Sequence, residues 1–209
     1  MSENNLTPER ILTPERILQA AEEALRRFGP SKATVVDVAR ALGVSHGSVY
    51  RHFASKAELR DAVMRIWLSR VDASLEAIVA EDAPAEARLL RWLRELIAIK
   101  RRRLADDPEL FATYGELGAE TRQVVEEHIA HLTDQVRQMI AAGVARGEFE
   151  ARDPAATARA VLSATSRFHH PAHAVEWAHP TIDAAFNEVW SLVLHGLKAG
   201  TRSTEKHSV

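Results

Sequence analysis

The sequence predicts an all-α fold of about nine helices, three in a short N-terminal part and about six after it. Two observations carry that expectation. Apolar residues recur at steps of three and four along almost all of the 209 residues, and no segment alternates as a strand would. Thr-Pro, Asp-Pro and Gly-Pro pairs interrupt this pattern where helices would start and stop. With 46% apolar and 27% charged residues, the chain has the material for a packed core.

The repeat TPERIL-TPERIL, Thr7–Leu12 and Thr13–Leu18, offers two helix starts with Thr as cap and Pro in the first turn. Thr13 is the better one. From it, Ile17, Ala21, Ala24, Leu25 and Phe28 line one face, which ends at Gly29-Pro30. The first copy would be an extension or an arm. A second helix runs from Thr34 to Leu42 with Val35, Val38, Ala39 and Leu42 inward. Gly43-Val44 forms a turn, and Ser45 caps a third helix ending near Phe53. Ser55, with Glu58 three residues on, opens a fourth through a capping box. Leu59, Val63, Ile66, Trp67, Val71, Leu75 and Ile78 carry it to about Glu81.

Pro84 and Pro108 each stand just inside a further helix start. A long helix is expected from about Ala119 to Arg146, and another from Asp153-Pro154 until Pro171 stops it. The last runs from Thr181 to about Lys198, and the end, TRSTEKHSV, reads as a loose tail.

Several classes of function fall away on composition. There is no cysteine, hence no disulfide framework, thiolate metal site or thiol nucleophile. No run of about 18 apolar residues offers a membrane span, and MSENNLTPER has no apolar core of a secretory signal. A cytoplasmic location without membrane contact fits these features. The net charge of −2 hides a mild bias: residues 1–60 hold 9 Lys/Arg against 7 Asp/Glu.

The stretch GVSHGSVYRHFASKAEL makes a poor core helix. Val44, Val49 and Phe53 suffice to anchor one side, while Ser45, His46, Gly47, Ser48 and Tyr50 lie opposite. A glycine in a helix interior costs about 1 kcal/mol relative to alanine. That cost is understandable if another surface must come close. Two helices joined by a tight glycine turn have the form of a helix-turn-helix, whose second helix enters the DNA major groove. Tyr50, Arg51, His52 and Lys56 then fall where sugar-phosphate would lie.

The segment TVVDVARALGVSHGSVYRHFASKAEL resembles the DNA-binding signature of the tetracycline-repressor (TetR) family of bacterial transcriptional regulators. The resemblance implies an N-terminal helix-turn-helix DNA-binding domain, residues 1–54, and a helical effector-binding and dimerisation domain, 55–199, before a tail, 200–209. It also implies DNA contact by residues at Thr34, Val35, Ser45, His46, Gly47, Ser48, Tyr50, His52 and Lys56. Val35 is apolar where some members carry a polar side chain.

The expected partners are a double-stranded DNA operator, a second copy in a homodimer, and an unidentified small-molecule effector; no cofactor is implied. In the final helix, Phe186, Val189, Trp190, Val193 and Leu197 belong to an apolar face wider than one core needs, which suits a dimer interface. Residues expected to line an effector pocket are Trp67, Trp92, Phe111, Tyr114, Met139, Phe168 and Trp177, with His128, His131 and Arg167 as polar candidates. The run Lys100 to Arg103 reads as a solvated helix end. His169 and His173 stand at metal-binding spacing, but Pro171 between them breaks the helix that would align them.

The expected function is a dimeric ligand-responsive DNA-binding regulator, a repressor released by a small molecule. A constitutive or activating regulator is the alternative within that class. An all-helical enzyme using histidine or a metal is the alternative from another class, although no HExxH, GxSxG or phosphate loop is present.

Overall fold

The computed structural model describes residues 11–198. They form ten α-helices and one 3₁₀ helix, and none of them lies in a strand: α1 (Pro14–Lys32), α2 (Val35–Leu42), α3 (His46–Tyr50), α4 (Lys56–Ser69), α5 (Asp72–Ala80), α6 (Ala85–Asp106), α7 (Pro108–Glu120), α8 (Arg122–Ala145), α9 (Pro154–His169), the 3₁₀ helix (Pro171–Ala178) and α10 (Ile182–Lys198). The first TPERIL copy up to residue 10, and the tail from residue 199, lie outside the described residues.

Two compact units divide these helices: residues 11–69 with 107–125, and residues 70–106 with 126–198. The division expected after residue 54 is one of role. Compactness instead groups α4 and α7 with α1.

In the first unit, the Thr13 hydroxyl accepts from the Arg16 N–H at 3.4 Å and Pro14 follows, so the second TPERIL copy opens α1. Gly29, at φ 73°, interrupts the helix ahead of Pro30. Ile17, Ala21, Ala24 and Leu25 are buried as expected, but Phe28 is exposed, with the Arg27 guanidinium 5.2 Å from its ring centre. At α2, Thr34 and Asp37 cap each other's backbone N–H groups. The helix ends at Gly43, whose φ of 66° is a left-handed conformation that favours glycine.

The fourth helix is not continuous to Glu81. It breaks at Arg70–Val71 into α4 and α5, where the chain leaves the first unit for the second. No proline or glycine marks that point. Ser69 Oγ donates back to the Ile66 carbonyl at 3.0 Å, a bond that competes with the helix ladder. This break and the 3₁₀ helix after Pro171 raise the count above the expected nine.

The second unit packs around Trp92, Leu93, Leu96, Val136, Met139, Ile140, Phe149, Ala158 and Phe168. Burying each large side chain contributes about 1.5–3 kcal/mol. The Trp92 indole N–H is satisfied by Gln135 Oε1 at 2.7 Å. Arg88, itself buried, donates from Nη1 to the Val79 carbonyl at 2.9 Å, placing a cation at the carbonyl end of α5. After α8 the chain turns at Gly147, φ 71°, and Phe149 folds back onto Gly143. A Cβ at Gly143 would stand 2.8 Å from the Ala85 Cβ and closer still to the Phe149 ring. Only a glycine fits there without a shift.

Helix α10 corrects one expectation. Phe186, Trp190 and Leu197 are 4%, 7% and 3% exposed, and Phe186 meets Phe168 edge-to-face at 5.4 Å. Their side chains are occupied by their own unit's core and present almost nothing to a second copy. Val189 and Val193 are half-buried at the margin of that core. The apolar side chain facing outward is Leu192, 74% exposed.

Candidate nucleic-acid interface

Helix α3 is five residues long, too short to stand without its neighbours. Val49 is 1% exposed and Phe53 7%, so one side is held by the core of the first unit. Ser45 caps the helix by accepting from the Ser48 N–H at 3.2 Å, and the two hydroxyls lie 2.9 Å apart. Arg51 Nη2 donates to Ser48 Oγ at 3.0 Å, tying the last turn to the first. His46 and Tyr50 meet edge-to-face at 6.3 Å on the outer side, where both are exposed.

Gly47 sits on that outer side. A Cβ there would meet nothing but Ser45 Oγ at 3.8 Å, so packing within the chain does not require glycine. The backbone is bare for a reason outside the molecule or for none.

On and around α3, most of the expected contact residues reach the protein's surface. Thr34, Ser45, His46, Gly47, Tyr50, Arg51 and His52 are exposed, and Ser48 and Lys56 are half-buried. Ser55 caps α4 by accepting from the Glu58 N–H at 3.0 Å, while the Glu58 carboxylate reaches the Ala54 N–H at 2.6 Å. Lys56 therefore stands at the first turn of α4, beside that helix's positive end. Burial, and then the neighbouring Arg60 charge, draw its pKa below the usual lysine value. Asp37 is held below the usual carboxylate range, first by the Thr34 hydroxyl.

Val35 does not belong to this surface. It is 6% exposed and packs inward, whereas Val36 is 51% exposed. Thr34 ends the extended approach to α2, and the next position turns into the core, which leaves the following one outside. A helical wheel drawn from Thr34 separates the two, so the signal was present in the sequence.

The residues expected around an effector are not gathered in one unit. Trp67, Phe111 and Tyr114 are in the first, where Trp67 stacks on Tyr114 at 4.4 Å and meets Phe111 edge-on at 6.3 Å. Trp92, His128, Met139, Phe168 and Trp177 are in the second. There Trp92 and Met139 are fully buried and the Trp177 indole donates to the Arg167 carbonyl at 3.0 Å. Arg167 itself pairs with Glu176 at 2.7 Å, and His131 Nε2 lies 2.9 Å from the Gln135 amide nitrogen.

Lys100 departs from expectation. Of the run Lys100–Arg103, Lys100 is buried at 7% exposed and Arg101 pairs with Asp183 at 2.7 Å, while Arg102 stays exposed and pairs with Glu95 at 3.1 Å. The histidines near Pro171 work as caps and partners. His170 Nδ1 accepts from the Ala172 N–H at 3.2 Å, and His173 Nδ1 lies 2.9 Å from Glu176 Oε1. Among the described residues, no group of three or more His, Asp or Glu side chains is arranged to hold a metal ion. None of the described helices is long and apolar enough to cross a membrane.

Known proteins share both halves of this arrangement. Residues 17–63 match the family of bacterial regulatory proteins called tetR, and residues 85–190 match the tetracyclin repressor-like C-terminal domain. The transcriptional repressor KstR2 of Rhodococcus jostii is 26% identical over 192 residues, spanning 86% of this chain and 88% of the relative. The repressor Rv3405c of Mycobacterium tuberculosis is 36% identical over 69 residues, 33% of this chain; the match spans only 35% of that relative. In fold, a TetR regulator from Haloarcula marismortui superimposes with a TM-score of 0.65 at 20% identity, over 88% of this chain and 97% of that one. The regulator FadR of Bacillus subtilis, solved with stearoyl-CoA, does so with a TM-score of 0.62 at 18% identity, over 88% and 99%. With an all-helical fold, a capped helix-turn-helix at Thr34–Phe53 and family matches to both parts, the chain belongs to the tetracycline-repressor (TetR) family of DNA-binding transcriptional regulators.

Proposed function

We propose that this regulator is a homodimeric repressor that reads a palindromic operator with two copies of α3 and leaves it when a small molecule enters its second unit. The observation that carries the reading is the two-sidedness of α3: Val49 and Phe53 are buried behind it, while Ser45, His46 and a glycine with open space are exposed in front. Ser45, His46, Gly47 and Ser48 face the base edges, with Val36 beside them as an apolar contact for a thymine methyl. Thr34, Tyr50, Arg51, His52 and Lys56 take the phosphates and fix the register.

Two-fold symmetry would set the two reading helices about 34–36 Å apart, one turn of DNA or a multiple of it. The second copy docks on the outward face of α10, at Leu192 with Val189 and Val193 at its edge. Support for a small-molecule effector comes from the fold likeness to FadR, which was solved with stearoyl-CoA. An effector that fits one spacing of the reading helices shifts the population away from DNA binding.

The test is fluorescence anisotropy on duplexes from the DNA flanking the gene, at several salt concentrations. Tyr50→Ala and Lys56→Ala should weaken binding to every duplex, and each lost phosphate contact should flatten the salt slope by about 0.9. His46→Ala should instead alter the preferred base, by about 1–3 kcal/mol at one position. Unchanged base preference in that variant would remove His46 from the reading set. Leu192→Asp should sediment as a folded monomer with weak operator affinity; a surviving dimer would place the interface elsewhere.

A further inference from the structure

On α3, two serine hydroxyls and one guanidinium are joined in a chain of hydrogen bonds. Ser45 Oγ accepts from the Ser48 N–H at 3.2 Å, the bond that caps the helix. The Ser45 and Ser48 hydroxyls lie 2.9 Å apart, and Arg51 Nη2 donates to Ser48 Oγ at 3.0 Å. Ser45 and Arg51 are exposed and Ser48, between them, is half-buried. Arg51 spends one donor on this chain, and its other N–H groups stay available to a phosphate.

A serine hydroxyl has one hydrogen to donate and two lone pairs that accept. The Ser48 N–H occupies one lone pair of Ser45, and Arg51 occupies one of Ser48. The bond between the hydroxyls consumes one hydrogen and one further lone pair. What remains for an outside partner is one O–H and one lone pair, on different residues. Distance alone lets either hydroxyl be the donor within the pair. The cation decides, because a hydroxyl that accepts from a guanidinium is polarised into a better donor. Ser48 therefore gives its hydrogen to Ser45, and both lone pairs of Ser45 are filled. Ser45 then offers the outside an O–H and nothing else.

We infer that Arg51 is a positioning residue that locks Ser45 as a hydrogen-bond donor, so that Ser45 excludes cytosine from the base position it reads. In the major groove guanine presents N7 and O6, adenine N7 and thymine O4 as acceptors, whereas cytosine presents only its N4 donor. A donor-only hydroxyl therefore meets a partner on three bases and an opposing donor on the fourth. Without the cation the pair can reverse: Ser45 would donate to Ser48 and accept from cytosine. This assignment rests on the reading that α3 enters the major groove, and it names what one of its residues selects.

The probe is a randomised duplex library selected with the unmodified protein, followed by anisotropy with all four bases at each position of the selected half-site. Ser45→Ala marks the position that Ser45 reads, as the one where base preference disappears. Should that variant lose its fold by circular dichroism, Ser45→Asp marks it instead, since aspartate also caps a helix. Cytosine there should bind the unmodified protein about fivefold more weakly than the best base. Ser45→Asp, which can only accept, should make cytosine the best base. Arg51→Met should shrink the cytosine penalty to about twofold or less, and Arg51→Lys, still a cationic donor, should restore it. Losing the charge at residue 51 weakens all duplexes alike, so only the ratio between bases reports the hydroxyl chain. An unmodified protein that prefers cytosine, a penalty that survives Arg51→Met or Ser45→Asp, or no position altered by either Ser45 variant would overturn the assignment while leaving DNA reading by α3 intact. A library that yields no preferred sequence would overturn that reading and this assignment together.

Discussion

Gly47 and Gly143 both lie inside helices, and a methyl group added at each would meet opposite surroundings. At Gly143 the added carbon would collide with Phe149 and Ala85, so the fold itself demands glycine there. At Gly47 it would meet one hydroxyl at ordinary contact distance. Interior packing explains the first glycine and leaves the second to an external surface. The same contrast runs through the histidines. His46 and His52 stand outside on the reading unit, whereas His128 and His169 are sunk among apolar and cationic neighbours of the second.

The sharpest way to separate the two regions is acid. His128 and His169 have folded-state values of about 3 and about 4 against an ordinary 6.5, so the unfolded chain binds protons that the folded chain refuses. The stability they contribute is complete above about pH 6.5 and is lost as the pH falls toward 4 and then 3. Thermal melts between pH 7.5 and 4.5 should show a steady fall, which the double variant His128→Gln, His169→Gln should flatten. An unaltered slope in that variant would mean the rings are not sequestered as described.

Next in size is the crowded glycine. Gly143→Ala should cost about 1–3 kcal/mol by forcing Phe149 and the start of α6 apart. Urea unfolding checks it, and a neutral result would show that the hairpin after α8 has room to yield. Smallest in stability is Gly47→Ala. It should leave stability unchanged or raise it by up to about 1 kcal/mol, since alanine is the better helix former and nothing obstructs it. Operator affinity should nevertheless fall. A variant that is more stable and binds DNA as well as before would leave Gly47 without a reason.

Much of this was written locally. Thr13, Thr34, Ser45 and Ser55 cap the helices that their side chains and the following pattern announced, because a cap is a contact between residues two or three apart. The exposed face of α3 was legible for a related reason: with Val49 and Phe53 assigned inward, helical geometry leaves Ser45, His46 and Gly47 outside. The break between α4 and α5 was not legible, since Arg70 and Val71 carry no helix-stopping residue. Nor was the inward turn of Lys100, which a run of four basic residues disguises as a wet surface. In α10 the breadth of the apolar face was plain, yet that Phe186, Trp190 and Leu197 spend their side chains on their own unit's core was not.

The sequence by itself determined the helices, their caps, the glycine turn at Gly43 and the family that these residues signal, because all of these depend on neighbours within a turn or two of chain. Tertiary structure alone decided which apolar side of α10 is spent within the chain, where the helix breaks between α4 and α5, and that Lys100 lies buried in α6. Those outcomes follow from which distant segments pack together, and burial and electrostatic field are properties of that packing.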